Sequence, residues 1–106
     1  MSGKTRREQI EEMLKDDPDD DGFLRYCLAM EHLGAGSETE VLTVFQTLLA
    51  AKPDYVPAYL QLGQLLNRLG EEDSARDIYR TGIAVAQRKG DAHAANEMCN
   101  FLAMLG

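Results

Sequence analysis

The chain of 106 residues is 44% hydrophobic, which is enough for a single domain with a modest core. No apolar run approaches the roughly 20 residues of a membrane span, and no apolar stretch follows the charged N-terminal residues, so we expect no signal peptide and a cytoplasmic protein. The 18 acidic residues outnumber the 11 basic ones, and this net charge of −7 argues against binding to nucleic acid.

Helical periodicity between regularly spaced turn residues predicts an all-α protein of about six helices. The first is predicted over about 5–15, where Thr5 and Glu8 match a capping box in which each side chain bonds the other residue's backbone N–H. It ends before Pro18, because the residue that precedes a proline is disfavoured in the helical conformation. The second, over about 20–33, is apolar on more than one side, which indicates a helix packed between neighbours.

The remaining helices are separated by glycine and proline in the same way. Ser37 and Glu40 match a second capping box at the start of the third helix. Pro57 suits the first turn of the fourth helix, where its missing N–H has no intrahelical partner. We predict these four helices over about 37–51, 56–69, 72–89 and 92–105.

Residues of the same class recur 34 positions apart in the middle of the chain. The pairs are Leu28 and Leu62, Ala29 and Gly63, Gly36 and Gly70, Val41 and Ala75, Phe45 and Tyr79, and, more loosely, Leu48 and Gly82. Such a period is typical of an α-solenoid, in which stacked helix hairpins bury their apolar faces against one another and need capping helices at the ends. We therefore expect one domain with an N-terminal cap, two repeats and a C-terminal cap, over 1–18, 20–53, 54–89 and 91–106.

The second of these repeats resembles the tetratricopeptide repeat (TPR) family. A large aromatic residue, a leucine–glycine pair, a turn glycine, an alanine and a second aromatic follow in the family's order: Tyr59, Leu62, Gly63, Gly70, Ala75 and Tyr79. The first repeat departs from the pattern, because Arg25 replaces the first aromatic residue and Val41 replaces the alanine. In this pattern the small residues let the two helices of a pair approach closely, and the aromatic residues fill the space beside them.

The resemblance implies a protein–protein interaction module, a scaffold or adaptor without catalysis, whose first helices line a concave groove for a peptide or an amphipathic helix. Carried onto this sequence, the groove positions are Phe23, Tyr26, Met30, Leu33, Leu60, Gln64, Asn67 and Arg68. One subgroup of the family clamps a C-terminal carboxylate with lysine, asparagine and arginine. Here the clamp positions hold Tyr26, Met30 and Gln61, so the clamp is missing.

Two alternatives to this groove stay open. Phe23, Tyr26 and Leu60 are also suited to a role in the core, covered by the flanking helices. In addition, the last helix ends in a strongly apolar run, which suits self-assembly into a homodimer through this helix. The apolar residues of that run are Phe101, Leu102, Met104 and Leu105.

A calcium site is suggested by one acidic segment. Asp17, Asp19, Asp21 and Gly22 match the first half of an EF-hand loop. The loop requires a bidentate glutamate at its twelfth position, where this chain has Leu28. We therefore interpret the aspartates as residues that cap the second helix and favour its positive N-terminal end, and we expect no metal site.

Histidine and cysteine give no indication of an enzyme. His32 and His93 lie in no motif that would place a nucleophile beside them, and no phosphate-binding loop is present, so we expect neither catalysis nor a cofactor. Cys27 and Cys99 fit no metal or redox spacing. Both lie in apolar sequence, so we expect buried, reduced thiols.

Overall fold

The structure, a computed structural model, describes residues 3–16 and 22–105. Over these ranges the protein consists of six α-helices without any strand, which confirms the all-α prediction. The helices are α1 (Arg6–Asp16), α2 (Phe23–Gly34), α3 (Glu38–Ala51), α4 (Val56–Arg68), α5 (Glu72–Arg88) and α6 (Ala92–Leu105). The predicted start of the second helix near residue 20 and the aspartates of the calcium interpretation lie outside the described residues.

The two predicted capping boxes have different outcomes. At the start of α1 the box is confirmed, since the backbone N–H of Glu8 donates to Thr5 Oγ1 at 3.1 Å and that of Thr5 donates to Glu8 Oε1 at 3.3 Å. The box at Ser37 is wrong, because the Ser37 side chain makes no capping hydrogen bond. Its ψ of 70° lies short of the extended conformation that directs a serine oxygen towards the first turn.

Three helices end in the same hydrogen-bonded turn, and this turn explains the regular glycines. After α2, α4 and α5 an N–H donates back over five residues to a helix carbonyl, from Ser37 to His32, Glu71 to Leu66 and Asp91 to Ala86. This is the Schellman motif, which requires a residue in the left-handed conformation just past the helix. Glycine supplies it each time, with φ of 80° at Gly36, 83° at Gly70 and 76° at Gly90.

The helices form two compact units, Met1–Lys52 and Pro53–Gly106. In the first unit, α1 and α3 both pack against α2. Its buried apolar residues are Ile10, Ala29, Val41, Phe45 and Leu48. An ion pair between Arg6 Nε and Glu31 Oε1, at 2.7 Å, joins α1 to α2. Because only three residues connect α2 to α3, the two helices run antiparallel.

The second unit contains α4, α5 and α6, and its core is built around two tyrosines. Tyr59 is buried, and its hydroxyl donates to the carbonyl oxygen of Pro53 at 2.6 Å. Tyr79 is buried too, and its ring stacks on that of Phe101 with centroids 5.9 Å apart. The other buried apolar residues are Val56, Ala58, Leu62, Leu65, Ala75, Val85, Ala86, Ala95 and Met98.

The loosest pair of the 34-residue repeat, Leu48 and Gly82, is explained by the residue that faces Gly82. A Cβ atom on Gly82 would lie 2.6 Å from Cβ and 3.0 Å from Cγ of Tyr59, so α5 approaches α4 too closely here for any side chain. The position equivalent to Tyr59 in the first repeat is Arg25, and the first repeat has the larger Leu48, fully buried, where the second has Gly82. Gly82 therefore marks the close approach of α5 to α4.

We predict that the second unit loses stability in alkali because of its buried tyrosines. Burial raises the pKa of Tyr79 above its ordinary value of 10.0. Burial also raises the pKa of Tyr59, with a smaller opposing effect of the Arg88 charge. An unfolded chain releases these phenol protons at lower pH than the folded one. The stabilisation is therefore complete below pH 10 and is lost as the pH rises through the folded-state pKa.

Urea unfolding at a series of pH values, combined with absorbance titration of phenolate, tests this prediction. We expect a falling free energy of unfolding above pH 10, and a shallower fall in Tyr79→Phe, which has no phenol to ionise at that position. The prediction is contradicted if the free energy of unfolding stays level while all the tyrosines titrate together.

Candidate functional site

The first half of the predicted groove lies on one face of α2, which we call the α2 face. Its residues are spaced by three or four positions, the spacing that aligns side chains on a helix. Phe23 is exposed over 57% of its surface, whereas the three residues that follow it are half-buried. One of them, Tyr26, lies against the buried Phe45, with ring centroids 6.2 Å apart and ring planes tilted by 49°. The four residues are Phe23, Tyr26, Met30 and Leu33.

A cavity of about 180 Å³ beside Phe23 extends this apolar surface from α2 onto α1. Met13, on the α1 side of the cavity, is exposed over 51% of its surface. The full lining is Arg6, Gln9, Ile10, Met13, Phe23, Leu24 and Cys27. This cavity was not predicted from the sequence. Ile10 and Met13, at helical spacing on the apolar side of α1, were the signal that could have indicated it.

The second half of the predicted groove lies on one face of α4, the α4 face, and is more polar. Leu60 and Gln64 are half-buried, and Asn67 and Arg68 are exposed. These four residues recur at helical spacing, so one side of α4 presents an apolar residue at its start and hydrogen-bonding groups towards its end. None of the eight predicted groove residues is buried, so Phe23, Tyr26 and Leu60 do not belong to the buried core.

The last helix is fixed to α5 on one side and open on the other. Arg76 on α5 donates from its guanidinium to the carbonyl oxygen of Leu105 at 2.9 Å and pairs with Asp73 at 2.8 Å. Within the apolar run, Phe101 stacks on Tyr79, whereas Met104 is 80% exposed.

The expectation that both cysteines are buried is wrong. Cys99 is exposed and Cys27 is half-buried, and both thiols are free. Apolar neighbours in the sequence indicated burial. However, in a helix adjacent residues point in different directions, so the neighbours do not share the exposure of the cysteine.

The two histidines differ in exposure, since His32 is half-buried and His93 lies at the surface. His93 is exposed and its Nε2 lies 3.4 Å from Oε1 of Glu97 on the same helix. His32 has a buried Nδ1 without a hydrogen-bond partner among the described residues. Over residues 3–16 and 22–105, no group of three potential metal ligands comes together. In the same ranges, none of the helices is long and apolar enough to cross a membrane.

Three comparisons agree on the family. The family profile described as "Tetratricopeptide repeat" matches residues 32–99. A TPR repeat-containing protein of Pseudomonas aeruginosa is 31% identical over 86 residues, which cover 81% of this chain and 82% of that protein.

Solved structures confirm the predicted helical-repeat fold. The solution structure of a tetratricopeptide repeat domain protein from Salinibacter ruber is 38% identical and covers 84% of this chain and 89% of its own, with a TM-score of 0.79. A solution structure of a protein from Bordetella parapertussis is 28% identical, with a TM-score of 0.80. The match covers 96% of this chain and 88% of that protein's chain. The chain belongs to the tetratricopeptide repeat family.

Proposed function

We propose that this chain is a protein–protein interaction module, without catalysis, that binds an apolar helix or extended segment of a partner on the α2 face. The observation that carries the proposal is the exposure of Phe23, 57%, at the start of a face that continues through half-buried apolar residues. Fully burying a phenylalanine side chain contributes about 1.5–3 kcal/mol. Large aromatic residues of this kind dominate the energetics of many interfaces.

The chemistry of the partner follows from the spacing of the apolar residues on the α2 face. Apolar residues that recur every three or four positions on α2 match the apolar stripe of an amphipathic helix laid along them. The α4 face offers amide groups at Gln64 and Asn67 and a guanidinium at Arg68. Taken by itself, this second face suits hydrogen bonds to a polar partner surface, and contacts of this kind fix orientation rather than provide most of the affinity.

We propose a cytoplasmic location as well. Both cysteines are free, and Cys99 is exposed. Exposed free thiols persist in a reducing compartment, whereas secreted proteins of this size commonly contain disulfides.

Phe23→Glu is expected to weaken partner binding at least tenfold while the chain stays folded, because a carboxylate on the α2 face opposes apolar contact and Phe23 is not a core residue. Affinity purification from the source cell, with mass spectrometry, identifies the partner, and titration calorimetry with a peptide from its binding segment measures the affinity.

Leu69→Glu is the matched control. Leu69 is another exposed apolar residue, at the end of α4 and on the side opposite Leu60, so its replacement should leave binding unchanged. Equal affinities of Phe23→Glu and the unmodified chain would refute a role for the α2 face.

A second candidate function, self-assembly through α6, is favoured by Met104. Met104 is 80% exposed and Leu102 and Leu105 are half-buried, so the end of α6 exposes more than one apolar side chain. In this candidate the chain forms a homodimer and acts as a structural component.

A further inference from the structure

Four methionines lie within the described residues, and they differ widely in exposure. Met98 is fully buried in the second unit, and Met30 is half-buried on the α2 face. Met13 is exposed over 51% of its surface and Met104 over 80%. Oxidants convert the thioether of methionine to a polar sulfoxide, and an exposed side chain is open to them. Met13 and Met104 are therefore the two described methionines that are most open to this modification.

Met13 lies where a change in polarity affects binding. It lines the cavity of about 180 Å³ that extends the α2 face onto α1, and Phe23 lines the same cavity. A partner segment that buries the exposed ring of Phe23 therefore also covers the side chain of Met13. Met104, by contrast, lies near the end of α6 in the second unit. Of the two exposed methionines, Met13 is the one beside the proposed binding surface.

We propose that Met13 is a modification site, and that its oxidation by a peroxide releases the partner from the α2 face. The inference rests on the proposed function, because it concerns the regulation of the same surface. In the reaction, one oxygen atom of hydrogen peroxide is transferred to the thioether sulfur. The O–O bond breaks, an S–O bond forms, the sulfur loses two electrons and the rest of the peroxide leaves as water. Methionine sulfoxide reductases reverse the step.

The sulfoxide acts by placing a polar group in an apolar contact. Its oxygen accepts hydrogen bonds from water, and an apolar partner that covers the cavity removes this water without supplying a donor. Burying a polar group without a hydrogen bond is costly, so we expect the affinity to fall by about tenfold. In the free chain the sulfoxide stays hydrated, because Met13 is largely exposed. The modification should therefore change binding and leave the helices intact.

The first measurement is the rate of sulfoxide formation at each methionine, followed by peptide mapping with mass spectrometry. Both cysteines are replaced by serine, because thiols also react with peroxide. Hydrogen peroxide is added with and without a synthetic peptide of the partner's binding segment. We expect Met13 and Met104 to be oxidised before Met30 and Met98. The peptide should slow the oxidation of Met13 and leave that of Met104 unchanged, so Met104 is an internal reference within the same chain.

The second measurement is the affinity for the same peptide, by titration calorimetry. The oxidised chain is expected to bind about tenfold more weakly, and treatment with methionine sulfoxide reductase should restore the affinity. Met13→Leu keeps a similar volume without the oxidisable sulfur, so its affinity should survive peroxide. Met13→Gln introduces a permanent polar group and should bind weakly without any oxidant. Met104→Gln is the matched control and should bind like the unmodified chain.

The possible outcomes separate the modification site from the binding surface. Undiminished affinity of a chain that carries the sulfoxide at Met13 overturns the inference and leaves the α2 face as the binding surface. A loss of affinity that Met13→Leu does not prevent also overturns it, because another residue is then responsible. So does a loss of helix on oxidation, measured by circular dichroism. A peptide that binds Phe23→Glu as tightly as the unmodified chain overturns the proposed function, and the inference with it.

Discussion

Replacing Gly82 with leucine, the residue at the equivalent position of the first repeat, is expected to unfold the second unit. A Cβ atom at this position would lie 2.6 Å from Cβ of Tyr59 and 2.6 Å from Sδ of Met98. The thioether of Met98 is flexible, but Cβ of Tyr59 is bonded directly to the backbone of α4, so α4 and α5 would have to separate. Overpacking a core by single methylene groups already costs about 1–3 kcal/mol. Leucine adds four carbons, which is enough to remove most of a net stability of about 5–15 kcal/mol.

Urea unfolding followed by circular dichroism measures this effect, and two alanine variants calibrate it. Gly82→Ala adds the Cβ atom alone and is expected to cost about 1–3 kcal/mol. Gly34→Ala is the matched control, because Gly34 is also helical and a Cβ there meets no atom within 4 Å. Removal of the flexible glycine should make this control up to about 1 kcal/mol more stable. A Gly82→Leu chain that unfolds at the same urea concentration as the unmodified chain would disprove the close approach.

The helices could be predicted from the sequence because their signals are local. The turn glycines, at positions 36, 70 and 90, lie just past three helix ends, and each adopts the left-handed conformation that ends a helix. The predicted range 92–105 is the range of α6, and the predicted ends of α4 and α5 differ from the observed ones by one residue. By contrast, the role of Gly82 depends on Tyr59, which lies on another helix. A position-by-position comparison of repeats therefore shows the mismatch with Leu48 and not its cause.

The candidate site was less predictable. Hydrophobicity indicates that a side chain prefers to be buried, but it does not indicate whether another part of the protein packs over that side chain. Phe23 and Phe45 are the same residue type on consecutive helices, yet one is 57% exposed and the other fully buried. The repeat pattern identified Phe45, which has Tyr79 as its counterpart, as a core residue. Phe23 has Pro57 at the equivalent position, so the repeat gave no information about it. Cys99 was misjudged for the same reason, since its apolar neighbours face α5 while it faces outward.

Replacing Phe23 or Phe45 with alanine is expected to show that one residue determines partner binding and the other the stability of the first unit. Phe45 is fully buried in the first unit and supports the ring of Tyr26. Phe45→Ala therefore leaves a cavity as well as losing apolar burial, and we expect it to cost about 3–5 kcal/mol. Phe23→Ala removes a mainly exposed side chain and is expected to change stability by only about 0.5 kcal/mol. If the α2 face binds the partner, the second variant should nevertheless lose affinity, because an exposed aromatic contributes to binding and little to folding.

Urea unfolding measures the stability of both variants, and titration with the partner peptide measures their affinity. The comparison of stability with affinity for each variant tests the prediction. A folded Phe23→Ala chain with weakened binding, beside a destabilised Phe45→Ala chain, assigns Phe23 to recognition and Phe45 to the core. Equal losses of stability would instead mean that Phe23 is covered in solution. Unchanged stability and unchanged affinity of Phe23→Ala would remove the α2 face as the binding surface. The exposed phenylalanine would then have no role in recognising a partner.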